Sequence, residues 1–370
     1  MKKNEKTGFS VLVPDGESRI ALSVLRSLNA ATNIKAVVIS NNEASPIRYS
    51  RHCSTFVYLN EQSEQKKLRK ILDVAKNERV DIILPVDIEM IRLLAKHKEE
   101  VDQVAPISFL PEVDTFDMVN DKWLFAEWLH KNKIPHPNTF RYKNDGDINE
   151  FISSLTFPII MKPRTGSGGR GIKVFDKPEE LAVFLKEKET SEDFIYQNFI
   201  TGYDIDCSVL CQNGKILAQT VQKSFVLKAQ RIGWPVGVEF VKEDALLSIV
   251  TEMVSKLSWT GVMHIDLRYD EDLKQFNVIE INPRFWASVE ASMFTGVNFP
   301  FITCKLILDK QLPQVEMKYK RVVRSNAAIK MFTTRLLKGK REDRRFDNTY
   351  LEVIIKDPVP YLYSYWKKIT

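Results

Sequence analysis

Cysteine is scarce in this 370-residue chain: Cys53, Cys207, Cys211 and Cys304, with no Cys-x-x-Cys pair. Cys207 and Cys211 stand four apart, a spacing that admits a metal pair, but no histidine or further cysteine clusters with them. Buried free thiols are therefore expected. No uninterrupted apolar run approaches the ~20 residues that a membrane-crossing helix needs. The opening Met1-Lys2-Lys3-Asn4-Glu5-Lys6 leads only to the short Val11-Leu12-Val13 before Pro14-Asp15-Gly16, which is no signal-peptide core, so a cytoplasmic protein is expected. Internal repeats and low-complexity stretches are also absent.

A composition of 44% hydrophobic and 28% charged residues is that of a globular protein, and the length implies two or three units. The formal charge of +6 is uneven. Eleven Lys or Arg and two acids between residues 318 and 345 give a local +9, which leaves the rest of the chain at −3. An acidic partner, nucleic acid or a membrane surface would each suit that segment. Aromatics are not interleaved with its charges as a single-strand binder requires, so no nucleic acid is expected, and a solvated face of helices packed on the body is the reading.

Along residues 9–112, short β-branched runs (9–13, 34–40, 80–85) alternate with amphipathic helical stretches (18–28, 65–77, 88–98). That alternation implies βαβ units, hence an open, doubly wound parallel sheet as a first domain over 1–112. A helix is expected from the capping Asn120 onward, then a break at Ile134-Pro135-His136-Pro137. Further helices are read at 178–188 and 245–257, strands at 206–210 and 215–222, and a hairpin at 261–269 and 276–282.

Gly166-x-Gly168-x-x-Gly171 has the spacing of a dinucleotide-binding turn. Such a turn needs a helix next, to hold the pyrophosphate at its N-terminus. Here Ile172-Lys173-Val174-Phe175 follows, a β-like run, and that reading fails. The loop instead joins two antiparallel strands. Thr165, Ser167 and the backbone amides from Gly166 through Gly168 and Gly169 to Arg170 can wrap a phosphate chain as a nest, with Lys162 supplying an ammonium from the strand before it. A mobile surface loop is the competing reading of the glycines alone.

In Val278-Ile279-Glu280-Ile281-Asn282-Pro283-Arg284, Glu280 and Asn282 are two apart on a strand and share a face; His264, Asp266 and Arg268 alternate in the same way on the facing strand. Asp266, Glu280 and Asn282 then converge as hard oxygen donors, which suits Mg²⁺ holding nucleotide phosphates. For His264 a structural role and a role in proton handling are equally open, and Trp286 reads as core.

This ordered set resembles the ATP-grasp superfamily over about residues 9–310, and most of all its carbamoyl-phosphate-synthetase and biotin-carboxylase branch. The resemblance implies an ATP-grasp fold, α/β and α+β. A doubly wound N-terminal domain would precede an ATP-grasp region at 113–310, with a lid at about 155–198 and a C-terminal lobe at about 199–310, followed by an extension at 311–370. It also implies that Lys122 and Lys162 bind phosphates and flank the adenine. The hinge Gln197-Asn198-Phe199-Ile200 would read the adenine edge through Asn198 and Ile200, Asp204 would hold the ribose, and Asp266, Glu280 and Asn282 would ligate one or two Mg²⁺, with Mn²⁺ an acceptable substitute. Arg284 would steady the transferring phosphoryl group. The hinge acid common in the family is replaced by Asn198, which puts that side chain's role in question.

The family's usual reaction converts a carboxylate to an acylphosphate that an amine then attacks, giving ADP and phosphate. Small-molecule carboxylate and amine substrates follow, with Arg231, and Lys228 beside it, as candidates to grip the carboxylate. A solvated charged loop is the alternative for that stretch. The length argues against a full carbamoyl-phosphate synthetase, and the lack of a long third domain against a biotin carboxylase. A non-catalytic ATP-binding regulatory module is the rival class, and a homodimer is left open.

Overall fold

The computed structural model describes residues 8–143, 146–166, 168–187, 193–225, 237–329 and 348–367. Ser18 starts the first helix by accepting from the Ile20 N–H, and alternation of apolar positions then buries Ala21, Val24, Leu25 and Leu28 against a parallel sheet. That sheet has the order β3-β2-β1-β4, from β1 (Gly8–Val13), β2 (Asn33–Ser40), β3 (Thr55–Tyr58) and β4 (Ile82–Ile83). The helices between and after its strands are α1 (Arg19–Ala31), α2 (Glu64–Glu78), α3 (Ile88–Lys96) and α4 (Lys98–Asp102). The continuous buried run Ala36 to Ile39 on β2 is what helices on both faces demand. The strand expected over 80–85 shrinks to Ile82–Ile83, because the residues around it pair only singly, as where the Leu84 N–H reaches Leu12 O at 2.9 Å.

Two helices follow, α5 (Val113–Asn120) and α6 (Lys122–Lys131). Asn120 ends the first; Asp121 caps the second, accepting from the N–H groups of Trp123 (2.9 Å) and Leu124 (3.2 Å). The expected cap is thus displaced by one residue, to the carboxylate that can reach both donors.

A second, antiparallel sheet of order β5-β8-β6-β7 comprises β5 (Thr139–Phe140), β6 (Ile159–Pro163), β7 (Lys173–Phe175) and β8 (Phe194–Asn198). With α7 (Ile148–Ser153) and α8 (Pro178–Glu187) it closes a small core of its own around Ile159, Met161, Leu181 and Tyr196.

The largest sheet contains β9 (Gly202–Gln212), β10 (Lys215–Phe225), β11 (Gly237–Val241), β12 (Gly261–Asp270), β13 (Gln275–Asn282), β14 (Arg321–Val323) and β15 (Asn348–Thr349), in the order β13-β12-β9-β10-β11-β14-β15. Across it lies α9 (Asp244–Lys256), burying Leu246, Val250, Met253 and Val254; α10 (Val289–Phe294) and α11 (Phe299–Asp309) follow the hairpin. Val209 and Ile265 of this sheet share a continuous core with Leu12 and Ile83 of the first. The last described helices are α12 (Leu351–Lys356) and α13 (Val359–Trp366). Asp357 between them is fully buried, accepting from Arg26 Nε (3.1 Å), Ser50 Oγ (2.7 Å) and the Arg51 N–H (3.0 Å), so this segment is pinned to the first sheet's unit. Among the described residues all four cysteines are free, and no helix is long and apolar enough to cross a membrane.

Candidate active site

The floor of the site comes from strand register. Asp206 on β9 faces Asp266 on β12, which faces Glu280 on β13; two residues along, Ser208 faces His264, which faces Asn282. A step of two keeps all of these on one side of the sheet. Ligand-capable atoms of Asp206, His264 and Asp266 lie within 4.8 Å of one another, with His264 Nε2 at 3.3 Å from Asp266 Oδ1 and 4.0 Å from Asp206 Oδ2. Gln222 Nε2 donates to Asp206 Oδ2 (3.1 Å) and to Ser288 Oγ (3.0 Å).

Crowding of acids in a buried place shows in their protonation. Burial, reinforced by Asp206 and Glu280, holds the Asp266 carboxyl well above the ordinary range. Burial also pushes Asp206 up to about 7, against the Gln222 hydrogen bond and with Asp204 adding to the rise. His264 goes down to about 3 through burial and the nearby Arg284 guanidinium. The imidazole is therefore neutral at physiological pH, bonded through Nδ1 to Ser208 Oγ (2.8 Å) and stacked on the buried Trp286 at 5.5 Å, and is not poised as a base near pH 7.

The roof is cationic. Lys122, first residue of α6, places Nζ 3.4 Å from Glu280 Oε2 and donates to the Gly166 carbonyl at 2.8 Å. One ammonium thereby links the glycine loop to the hairpin. Lys162 on β6 is only 7% exposed; burial lowers its pKa while Glu280 opposes the shift. Asp121, besides capping α6, pairs with Arg164, which ties the loop's start to the same helix. Gly166, Gly168, Gly169 and Gly171 all have φ between +73° and +95°. A Cβ at Gly166, Gly168 or Gly169 would meet nothing within 4 Å, so backbone conformation is what requires glycine there. Ser167, Lys228 and Arg231 lie outside the described residues.

At the hinge the Asn198 N–H donates to Asn138 O (3.1 Å), while the Ile200 carbonyl accepts from Arg268 Nε (2.7 Å). Gln197 is buried, its Nε2 donating to Thr139 Oγ1 (2.9 Å); its Oε1 and the Asn198 Oδ1 are buried without a hydrogen-bond partner. Arg268, though on the face of His264 and Asp266, serves the hinge, binding Gly202 O (2.9 Å) and pairing with Asp204. Asp204 is otherwise open, its side chain 63% exposed.

Arg284 joins the site to the first unit. Its Nε lies 3.4 Å from Asp87 Oδ1, its Nη2 donates to Asn282 Oδ1 (3.2 Å) and its Nη1 to Phe285 O (2.7 Å). Asn282 Nδ2 faces Asp266 Oδ2 at 3.4 Å. The Asn282 amide, expected to turn its oxygen toward the acids, instead links Arg284 to Asp266, because a carboxylate demands a donor and a guanidinium an acceptor. The structure thus brings together Lys122, Lys162, the glycine loop, Asp266, Glu280, Asn282 and Arg284, with Asn198, Ile200 and Asp204 along the hinge. It adds Asp206, which sequence reasoning passed over although Asp204-Ile205-Asp206 carries the same two-residue alternation.

A glycine-loop lid over an acid-lined sheet, behind a parallel α/β unit, is the ATP-grasp fold. The family model described as the ATP-grasp domain matches residues 119–288. Among relatives, the arginine-specific large chain of carbamoyl phosphate synthase from Halalkalibacterium halodurans is 25% identical over 285 residues, 74% of this chain but 26% of that one. The chain thus spans about a quarter of that relative's length. The D-aspartate ligase of Enterococcus faecium is 20% identical over 337 residues, covering 82% of this chain and 78% of the ligase. Among solved structures, N5-carboxyaminoimidazole synthetase from Staphylococcus aureus complexed with ADP superposes with a TM-score of 0.64 at 19% identity, covering 86% of this chain and 81% of the other.

Proposed function

We propose that the protein is a cytoplasmic ATP-dependent ligase that activates a small-molecule carboxylate as an acylphosphate for attack by an amine, releasing ADP and phosphate. The observation that carries this reading is the Lys122 ammonium, in contact with both the Gly166 carbonyl of the loop and the Glu280 carboxylate of the hairpin. Phosphate-binding and acid-bearing parts, far apart in sequence, meet over one cleft. The ADP bound by the Staphylococcus aureus synthetase and the ligase named among the relatives point the same way.

The donors fit magnesium: Asp206, Asp266 and Glu280 supply hard anionic oxygens, and their crowding, with two carboxyls driven upward in pKa, is what a divalent cation relieves. One or two Mg²⁺, or Mn²⁺ in its place, would be held there, joined by Asn282 once its amide oxygen turns from Arg284 toward the acids, and would supply Lewis-acid neutralisation of phosphate charge. Lys162 and Lys122 then hold the phosphate chain from the lid side as point charges, and the loop N–H groups wrap it. The Asn198 carbonyl and the Ile200 N–H offer an acceptor and a donor to the adenine edge, and Asp204 takes the ribose hydroxyls. Arg284, fixed between Asp87 and Asn282, faces the transferring phosphoryl group, a role of electrostatic preorganisation with no proton to move. Arg231 is assigned the incoming carboxylate.

ADP and phosphate formation is to be followed with Mg²⁺, ATP and panels of carboxylates and amines. A carboxylate and amine pair that raises both products together, with an amide formed in equal amount, is the expected result. Tight ATP binding with no release across every panel would replace the ligase with a non-catalytic nucleotide-binding module.

A further inference from the structure

The outward arc of α13 is apolar from end to end. Pro360 is buried and Tyr363 packs on Tyr49 at 4.4 Å, which seats the helix against the turn at Pro46–Tyr49. At about 100° per residue, the remaining large side chains fall within one arc of about 160°. These are Val359, Tyr361, Leu362, Tyr365 and Trp366, with the last two and Leu362 each 60–62% exposed. α12 adds Ile355 at 73%. Single exposed apolar residues are ordinary on any surface, but five on one arc of a helix mark a contact face.

The border of the face is basic. Arg48, Arg51, Lys356 and Lys367 are all exposed around it, and Arg51 also holds the end of α12 by donating to Lys356 O at 3.2 Å. Among the described residues, Glu43 sits 3.7 Å from Arg48 and Glu352 accepts from Asn348 Nδ2 at 3.2 Å. Lys320 donates to Asn348 Oδ1 at 3.1 Å, beside the start of α12. Asp357 fixes the helix pair to Arg26, Ser50 and Arg51, so the face is presented rigidly by the body of the protein.

We propose that this face docks the protein on the surface of an anionic lipid bilayer. Tyr and Trp with aliphatic neighbours on one side and Lys or Arg on the flanks are the chemistry of an interfacial helix. An eight-residue face is a weak anchor alone, and its basic border of Arg48, Arg51, Lys356 and Lys367 provides the second attraction that stable peripheral binding needs. Four exposed bases border the face, and Glu43 already faces Arg48, which gives anionic lipid the advantage over a neutral surface or a second copy of the chain.

The test is co-sedimentation of the full chain with vesicles of phosphatidylglycerol in phosphatidylcholine and with phosphatidylcholine alone. Binding to the anionic vesicles is expected to exceed the neutral ones by about tenfold or more, and to fall steeply between about 0.1 M and 0.5 M salt. Leu362→Asp with Trp366→Asp should lose at least about tenfold of it. ADP–Mg²⁺ thermal shifts report whether that variant is folded, and the milder Leu362→Ser serves if it is not. Equal binding to both vesicle types, binding to neither, or unchanged binding by folded apolar-face variants would each overturn the proposal. So would a concentration-dependent dimer in sedimentation velocity that Leu362→Ser abolishes, which would make the face a self-association surface.

Discussion

The lid sheet, β5-β8-β6-β7, and the large sheet beneath it meet over one cleft but reach it with opposite chemistry. The lid brings cations and backbone: Lys162 on β6, Lys122 from the adjoining helix, and a loop whose glycines all sit at positive φ, with open space where a Cβ would be at Gly166, Gly168 and Gly169. The large sheet brings carboxylates on paired strands whose register leaves them no freedom to separate. Each half alone is electrostatically uncomfortable, one a buried ammonium with lowered pKa, the other a cluster of acids with raised ones. Under the proposed function, together they would bracket a ligand that carries negative charge toward the lid and a cation toward the sheet. The carboxylates are fixed by strand register, where a metal site would need precision, and the loop by glycine backbone, where a phosphate chain would need room.

The sharpest way to break this comparison is on the sheet side. Glu280→Gln keeps the shape but removes a metal-side charge and the partner of Lys122, and phosphate release should fall by about 10²–10³-fold, the scale set by losing one preorganised group. Circular dichroism should show an unchanged fold. Normal Mg²⁺-dependent turnover in this variant would reassign the metal site. On the lid side Lys162→Met should lower kcat/KM for ATP by about 10²-fold, since a charge-assisted contact to phosphate is lost while buried shape is preserved. If both variants lose equally and the double variant loses no more, the two halves act as one unit, because residues of a unit are not additive.

A finer cut separates backbone from charge. Gly168→Ala introduces no clash, so its whole effect is the strain of a Cβ at φ +78°, about 1–2 kcal/mol. The loop lies outside the packed cores, so the melting temperature should hardly move while the KM for ATP rises by about tenfold. A large loss of stability instead would make the loop a structural hairpin and not a phosphate cradle.

Local chemistry was what the sequence displayed well. The Glu280-x-Asn282 and His264-x-Asp266 alternations put four side chains on one face because a strand has a period of two, and the β-like Ile172-Lys173-Val174-Phe175 after the glycines excluded a dinucleotide turn. Pairings between distant segments were not legible. Asp206 stands opposite Asp266 only because β9 lies beside β12, a register that no local pattern specifies. Arg284 meets Asp87 across about half the chain, which fixes its guanidinium in a way that strand periodicity cannot show. The segment after residue 310 reads as a charged tail, yet its Arg321–Val323 extends the large sheet beside β11, since a three-residue edge strand carries too short a pattern to announce itself. Asp121 displaced Asn120 as the cap because Asn120 ends the preceding helix and the Asp121 carboxylate reaches the Trp123 and Leu124 N–H groups.

The smallest expected effect concerns stability, and it turns on sign. The Asp206 and Asp266 carboxyls have folded pKa values above their ordinary ones, so they cost the metal-free chain nothing below about pH 4 and progressively more as pH rises through about 7 for Asp206. Metal-free protein should therefore lose from this pair as pH goes from about 5 to 8, and Mg²⁺ with ADP should recover more melting temperature at pH 8 than at pH 5. Asp206→Asn removes one of the competing carboxylates while leaving an amide for Gln222, so the metal-free variant should melt a few degrees higher than the parent at pH 8 and no higher at pH 5. The same substitution should weaken Mg²⁺-dependent nucleotide binding in calorimetry. A variant that gains stability equally at both pH values would show that packing, and not the crowding of charge on the sheet, sets the energetics of this floor.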